Sequence, residues 1–151
     1  MFAKILYPTD FSDVSKKALE YVKKLKEAGT REVIVTHVIE LRDVVRFPLD
    51  ISWAPKPASE TETELQKQLE KAVKKELEVV EAELKEDGLK VKVIIGKGSP
   101  LQEILRVKDE EDVSAIVIGS HGKSNIKEML LGSVSENAIR HSKSPVLVMK
   151  R

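Results

Sequence analysis

Ala115-Ile116-Val117-Ile118-Gly119-Ser120-His121-Gly122 and, after nine intervening residues, Gly132-Ser133-Val134-Ser135 decide how this chain is read. The apolar run before Gly119 has no polar interruption, as expected of a strand buried on both faces. Ser133-Val134-Ser135-Glu136 has the serine-to-glutamate spacing of a helix start. A strand that empties into glycines and then into a helix N-terminus aims several backbone N–H groups at one place. That is the construction of an anion site, and phosphate is its usual occupant.

Outward from this stretch, strand and helix alternate. Pro145-Val146-Leu147-Val148-Met149 reads as a fifth and final strand, and Val113 to Ile118 as the fourth. Before it a helix opens at Ser99-Pro100-Leu101-Gln102, with serine at the N-cap, proline at N1 and glutamine at N3. Leu101, Ile104 and Leu105 give that helix its inner face. Val91 to Ile95 is a third strand, stopped by Gly96 and Gly98. Thr61 to Asp87 carries Leu65, Leu69, Val73, Leu77, Val80 and Leu84 at helical intervals, a long amphipathic helix with a solvated charged face. Thr61 and Glu64 are spaced as its capping box, and Gly88 ends it. Glu32 to Val38 is a second strand rich in β-branched residues. Val14, Ala18, Val22 and Leu25 form a first helix closed by Gly29, after a first strand at Lys4-Ile5-Leu6-Tyr7. Residues 40 to 58, with Pro48, Pro55, Pro57 and Trp53, fit no element and are expected to form a long loop.

Five short strands separated by helices imply an α/β fold, with a parallel sheet and helices on both faces, in one domain over 1–151. Composition excludes several function classes. Lys+Arg (26) and Asp+Glu (25) nearly cancel, and a net charge of +1 gives no footprint for nucleic acid or an anionic membrane. There is no cysteine, hence no disulfide, thiol catalysis or thiolate metal site. The three histidines, His37, His121 and His141, are scattered and form no zinc constellation. No apolar run approaches the ~20 residues that span a bilayer. The N-terminus reaches Pro8 and Asp10 too soon for a signal peptide, so a cytoplasmic location is expected.

In an open parallel sheet, ligands bind beyond the carboxyl ends of the strands where the strand order reverses. The first strand ends in Pro8-Thr9-Asp10-Phe11-Ser12, the fourth in the glycine loop. If those two strands flank the reversal, both loops reach one crevice. The glycine loop is not a Walker A motif, because Val117 stands where that motif needs glycine, and it is not a dinucleotide fingerprint.

The chain resembles the ATP-binding branch of the universal stress protein family. Gly119-x-x-Gly122, nine residues, then Gly132-Ser133 looks like that family's signature. The likeness extends to Tyr7-Pro8-Thr9-Asp10-Phe11-Ser12, Val35-Thr36-His37-Val38, Gly98-Ser99-Pro100, Leu130 to Asn137 and Ser144 to Val148. The resemblance implies a three-layer sandwich with strand order 3-2-1-4-5. It implies that Asp10 lies near a nucleoside, with Pro8 and Thr9 shaping the wall, and that Val38 offers its backbone to an adenine edge. It implies that Gly119, Ser120, His121, Gly122, Lys123, Ser124 and Asn125, with Gly132, Ser133, Val134 and Ser135, hold ribose and phosphates. Many members have glycine where Asn125 stands; asparagine tolerates the left-handed conformation such a site uses.

The implied ligand is ATP, with Mg2+ or Mn2+ arriving on its phosphates rather than on protein side chains alone. Glycines 119, 122 and 132 are expected to give close backbone approach and positive φ. Asp10 reads equally as a cap of the first helix, Ser133 equally as a plain N-cap, and His37 as a hydrogen-bonded core histidine. No nucleophile with a paired base and no arginine finger is visible, so a nucleotide-dependent switch or sensor acting on an unidentified protein partner is expected rather than an enzyme. The alternatives are an interaction protein of the same fold without a ligand and a slow or partner-dependent ATPase. The apolar last strand, Val146 to Met149, is expected at a sheet edge and to pair two copies as a homodimer.

Overall fold

A computed structural model describes residues 2–40, 58–122 and 131–150, with the backbone alone over 58–62. The loop expected between 40 and 58, with Trp53, thus lies almost wholly outside the described residues, as do Lys123, Ser124 and Asn125. The elements are β1 (Lys4–Pro8), α1 (Asp13–Lys24), β2 (Glu32–Ile39), α2 (Ala58–Glu86), β3 (Lys90–Lys97), α3 (Pro100–Glu110), β4 (Ala115–Gly119), α4 (Ser133–His141) and β5 (Val146–Met149). The five strands form one parallel sheet in the order β3-β2-β1-β4-β5. This is the order that the resemblance implied.

β1 lies at the centre, with Ile5 opposite Val33 on one side and Ala115 on the other. A central strand must be apolar on both faces, and Ile5, Leu6 and Tyr7 are all buried. Alternation sends Ile5, Tyr7, Val33, Val35, Ala115 and Val117 toward α1 and α2, where Ala18, Val22, Leu77 and Leu84 meet them. Leu6, Ile34, Ile116 and Ile118 face the other way, toward Ile104 and Val107 of α3 and Val134 of α4. Each fully buried aliphatic side chain contributes about 1.5–3 kcal/mol, so these two cores on either side of the sheet dominate stability.

Local signals explain most boundaries. Ser12 caps α1, its Oγ accepting the Ser15 N–H at 3.3 Å. Gly29 and Gly88 take the left-handed backbone after the first two helices, with φ of +99° and +80°. α2 begins at Ala58 rather than at Thr61. Ser99 occupies the N-cap of α3 but makes no side-chain cap bond. β3 runs through Gly96 rather than stopping there, and β4 starts at Ala115. No helix among the described residues is long and apolar enough to cross a membrane.

Candidate binding site

The sheet order makes one place different from the rest. From β1 the chain proceeds outward to β2 and β3, then returns to build β4 and β5 on the other side. The loops after β1 and β4 therefore diverge to opposite faces and leave a crevice between them. A cavity of about 320 Å³ opens there. Its wall includes Pro8, Thr9, Asp10, Val38, Gly119, Ser120, His121, Gly122, Gly132, Ser133, Val134 and Ser135. All of the predicted binding residues that lie among the described ones are thus brought to one cavity.

The β1 loop is a pair of short side-chain turns. Thr9 Oγ1 accepts the Phe11 N–H at 3.1 Å, and Asp10 Oδ1 accepts the Ser12 N–H at 3.0 Å. Asp10 is therefore not the cap of α1; Ser12 is. The loop is anchored from below. Thr9 N–H donates to the Thr36 carbonyl, Ser15 Oγ donates to Thr9 Oγ1, and the buried Tyr7 hydroxyl donates to the Ser15 carbonyl, each at 2.8 Å. Burial raises the Tyr7 phenol above its ordinary value, which keeps it neutral and a donor.

The β4 loop is held through Ser120, which is completely buried. Its N–H donates to the Met149 carbonyl at 2.8 Å, continuing the β4–β5 pairing. Its carbonyl accepts the Gly132 N–H at 2.6 Å and the Ser135 hydroxyl at 2.9 Å. Its own hydroxyl lies 2.8 Å from His121 Nδ1. The backbone of one residue thereby joins the end of β5 to the start of α4.

The glycines are there for contact rather than for unusual torsions. Positive φ among described glycines occurs at 29, 88 and 98, not at 119, 122 or 132, which corrects that part of the expectation. A Cβ on Gly132 would stand 3.2 Å from the Ser120 carbonyl oxygen, and one on Gly122 would stand 2.8 Å from Asp10 Oδ2. The second contact shows the two loops meeting across the cavity.

Gly132, not Ser133, is the N-cap of α4, and no side chain caps the helix. Of the two roles open to Ser133, the plain N-cap is thereby excluded: it is the first helical residue, exposed, with its hydroxyl uncommitted among the described residues. The first intrahelical bond runs from Glu136 N–H to the Gly132 carbonyl at 2.9 Å. The N–H groups of Ser133, Val134 and Ser135 have no helical acceptor, and the helix dipole adds partial positive charge there.

On the opposite wall, β2 outruns β1. Pairing with β1 stops at Pro8↔Thr36, while β2 continues to Ile39. The Thr36 carbonyl faces β1, since it accepts from Thr9 N–H; the Ile39 carbonyl faces β3, since it accepts from Gly98 N–H. Backbone polar groups alternate sides along a strand, so Val38 turns its N–H and C=O toward β1, past the end of the ladder. One donor and one acceptor on a single residue are left pointing at the cavity.

Ser15, Thr36, Glu40, Pro100, Ile104 and Ile118, which the sequence did not mark as site residues, also line it, and His37 is both buried, as expected, and part of the wall. Thr36 and Ile118 were in view as strand-end residues; Pro100 and Ile104 reach the cavity only because α3 packs over β2. The charged residues in the described wall are Asp10 and Glu40. No group of three or more metal-ligating side chains occurs among the described residues.

Comparison with known proteins agrees in fold and sequence. The model of the Usp (universal stress protein) family matches residues 1–150. The chain is 45% identical to universal stress protein MJ0577 of Methanocaldococcus jannaschii, covering 100% of this chain and 96% of that protein. It is 35% identical to universal stress protein YxiE of Bacillus subtilis, covering 99% and 100%. The solved structure of MJ0577 superposes with a TM-score of 0.87 over 100% of this chain and 97% of that one, at 44% identity. Two more distant structures share the fold. A universal stress protein in complex with cAMP has a TM-score of 0.68 at 21% identity, covering 99% and 97%. An Arabidopsis thaliana family member with AMP bound has 0.60 at 19%, covering 99% and 92%.

Proposed function

The chain belongs to the universal stress protein family, and from that premise we propose that it binds an adenine nucleotide, ATP foremost, between the ends of β1 and β4. Occupancy then serves as a switch or sensor in a stress response. The observation that carries this reading is the pair of complementary ends to one cavity. Val38 presents an N–H beside a C=O, and adenine presents an acceptor nitrogen beside an amino donor. Across the cavity, the open N-terminus of α4 offers amides and the Ser133 hydroxyl to phosphates. Asp10 stands between, near the position a ribose would take. That two proteins of this fold carry cAMP and AMP supports the adenine class.

We read the site as one that binds rather than transforms. The Ser120 hydroxyl paired with His121 is buried in the wall and is not exposed as a nucleophile. Mg2+ or Mn2+ would arrive with the phosphates and keep several waters. Two copies are proposed to associate through the open edge of β5, in the cytoplasm, with a further protein partner reading the state.

Titration calorimetry with ATP, AMP and cAMP tests the reading. Binding of adenine nucleotides, and a raised 260 nm absorbance in freshly purified protein, are the expected results. Flat titrations with all three would remove it in favour of a ligand-free interaction protein. Phosphate release from ATP is expected far below about 1 s⁻¹, the low end for ordinary enzymes; faster turnover would make it an ATPase.

A further inference from the structure

His37 neighbours Val38 on β2, and alternation sends its side chain to the opposite face of the strand. It is only 4% exposed. Its Nδ1 lies 2.8 Å from the Thr9 carbonyl oxygen. A carbonyl can only accept, so Nδ1 carries the proton and donates. Its ring stacks on Phe11, with centroids 4.7 Å apart and planes at 18°. Thr9 and Phe11 are the two residues flanking Asp10. One side chain from the second strand therefore holds the Thr9 backbone on one side of Asp10 and the Phe11 ring on the other.

The grip has something to oppose. Phe11 has φ of +62°. A bulky residue avoids that left-handed backbone unless its surroundings hold it there, at a cost of about 1–3 kcal/mol. Relaxation of Phe11 would swing the turn that carries Asp10. The two side-chain turns, Thr9 to Phe11 and Asp10 to Ser12, form with Phe11 in this conformation.

We propose that His37 is a positioning residue for the cavity: it sets Asp10 in the wall by fixing Thr9 through a hydrogen bond and Phe11 through ring stacking. The role in binding rests on the adenine-nucleotide reading above; the grip on Asp10 does not.

Two measurements test it. His37→Phe keeps a ring for stacking and removes the donor; His37→Asn keeps a donor near Nδ1 and removes the ring. Amide hydrogen exchange by NMR then reports the turns without any ligand. In His37→Phe, the Phe11 and Ser12 amides are expected to exchange about tenfold faster, with Leu6 and Ile34 as in the parent. Ser12 protection unchanged in both variants overturns the grip. Should His37→Phe not fold, His37→Asn carries the same readout.

The second measurement is a cycle of ADP affinities for parent, His37→Phe, Asp10→Ala and the double variant. His37→Phe is expected to weaken binding about tenfold in the parent and less than about twofold once Asp10 is alanine. An equal loss in both backgrounds means His37 does not act through Asp10. A parent that binds no adenine nucleotide overturns the reading of the cavity, while the exchange data still decide whether His37 holds the turn.

Discussion

A Cβ on Gly132 would meet two backbone atoms, the Ser120 carbonyl oxygen at 3.2 Å and the His121 Cα at 3.4 Å. Neither can move without disturbing the backbone of Ser120, whose N–H bonds β5 and whose carbonyl holds the start of α4. Gly132→Val is therefore expected to lower stability by about 1–3 kcal/mol and to abolish nucleotide binding, read by thermal melting and calorimetry on the folded variant. Parent-like affinity would place the ligand elsewhere. Gly122 differs in kind. Its Cβ would meet a side-chain atom, Asp10 Oδ2 at 2.8 Å, on a carboxylate already tied to the Ser12 N–H. Gly122→Ala is expected to weaken nucleotide binding while the melting temperature stays near the parent's, because Asp10 rotates away and the loop survives. A melting point that falls with unchanged affinity would contradict this.

At the scale of the element, β5 is the simplest case to test. Among the described residues it pairs only with β4, and its residues are half-buried. Ile116 and Ser120 donate to the carbonyls of Pro145 and Met149, so residues 145, 147 and 149 face β4. Val146 and Val148 then turn their N–H groups outward. Val148→Pro deletes an outward donor and no β4–β5 bond. It is expected to yield folded monomers by light scattering; a persistent dimer would move the interface off this edge. Leu147 packs on the core, so a charge there would test stability as much as assembly. The same elements show what sequence can carry. β1, β2 and β4 were legible because strands buried on both faces leave unbroken apolar runs. Helix starts were less so. Ser133 has the composition of a cap, but the Gly132 N–H is drawn to Ser120, a tertiary contact that moves the cap back one residue. His37 was legible as buried; its contacts with Thr9 and Phe11 depend on how β1 and β2 align. Val38 came into view through family likeness, and its geometric reason is the two strands' unequal length.

Over the whole molecule, surface ion pairs couple stability to pH. Arg106 beside Glu103, Lys97 beside Glu70, and Lys92 beside Glu111 hold those carboxyls below their ordinary value of 4.5. Glu111 also receives Lys4, so one residue at the end of α3 is tied to both β1 and β3. Carboxyls depressed in the folded state add stability that is complete above their unfolded value and lost as pH falls through the folded one. The melting temperature is thus expected to be flat from neutral down to about pH 5 and to fall below about pH 4. Salt at 1 M should shrink that acid-sensitive part, since exposed pairs are screened; a melting curve indifferent to acid would contradict the assignment. Tyr7 adds a dependence on alkali. Its raised value means stability present below the unfolded phenol's 10.0 and lost as pH climbs through the folded value.

Ser114 donates to the Lys4 carbonyl across 110 positions of chain, where β1 and β4 begin, and the cavity lies at the far end of that pair of strands. A nascent protein halted before β4 would contain Asp10 and Val38 and yet have nothing to close them against. On the proposed reading, a nucleotide could be held only once β4 and α4 had joined the sheet, and its binding would oppose unfolding of the whole sheet rather than of one corner.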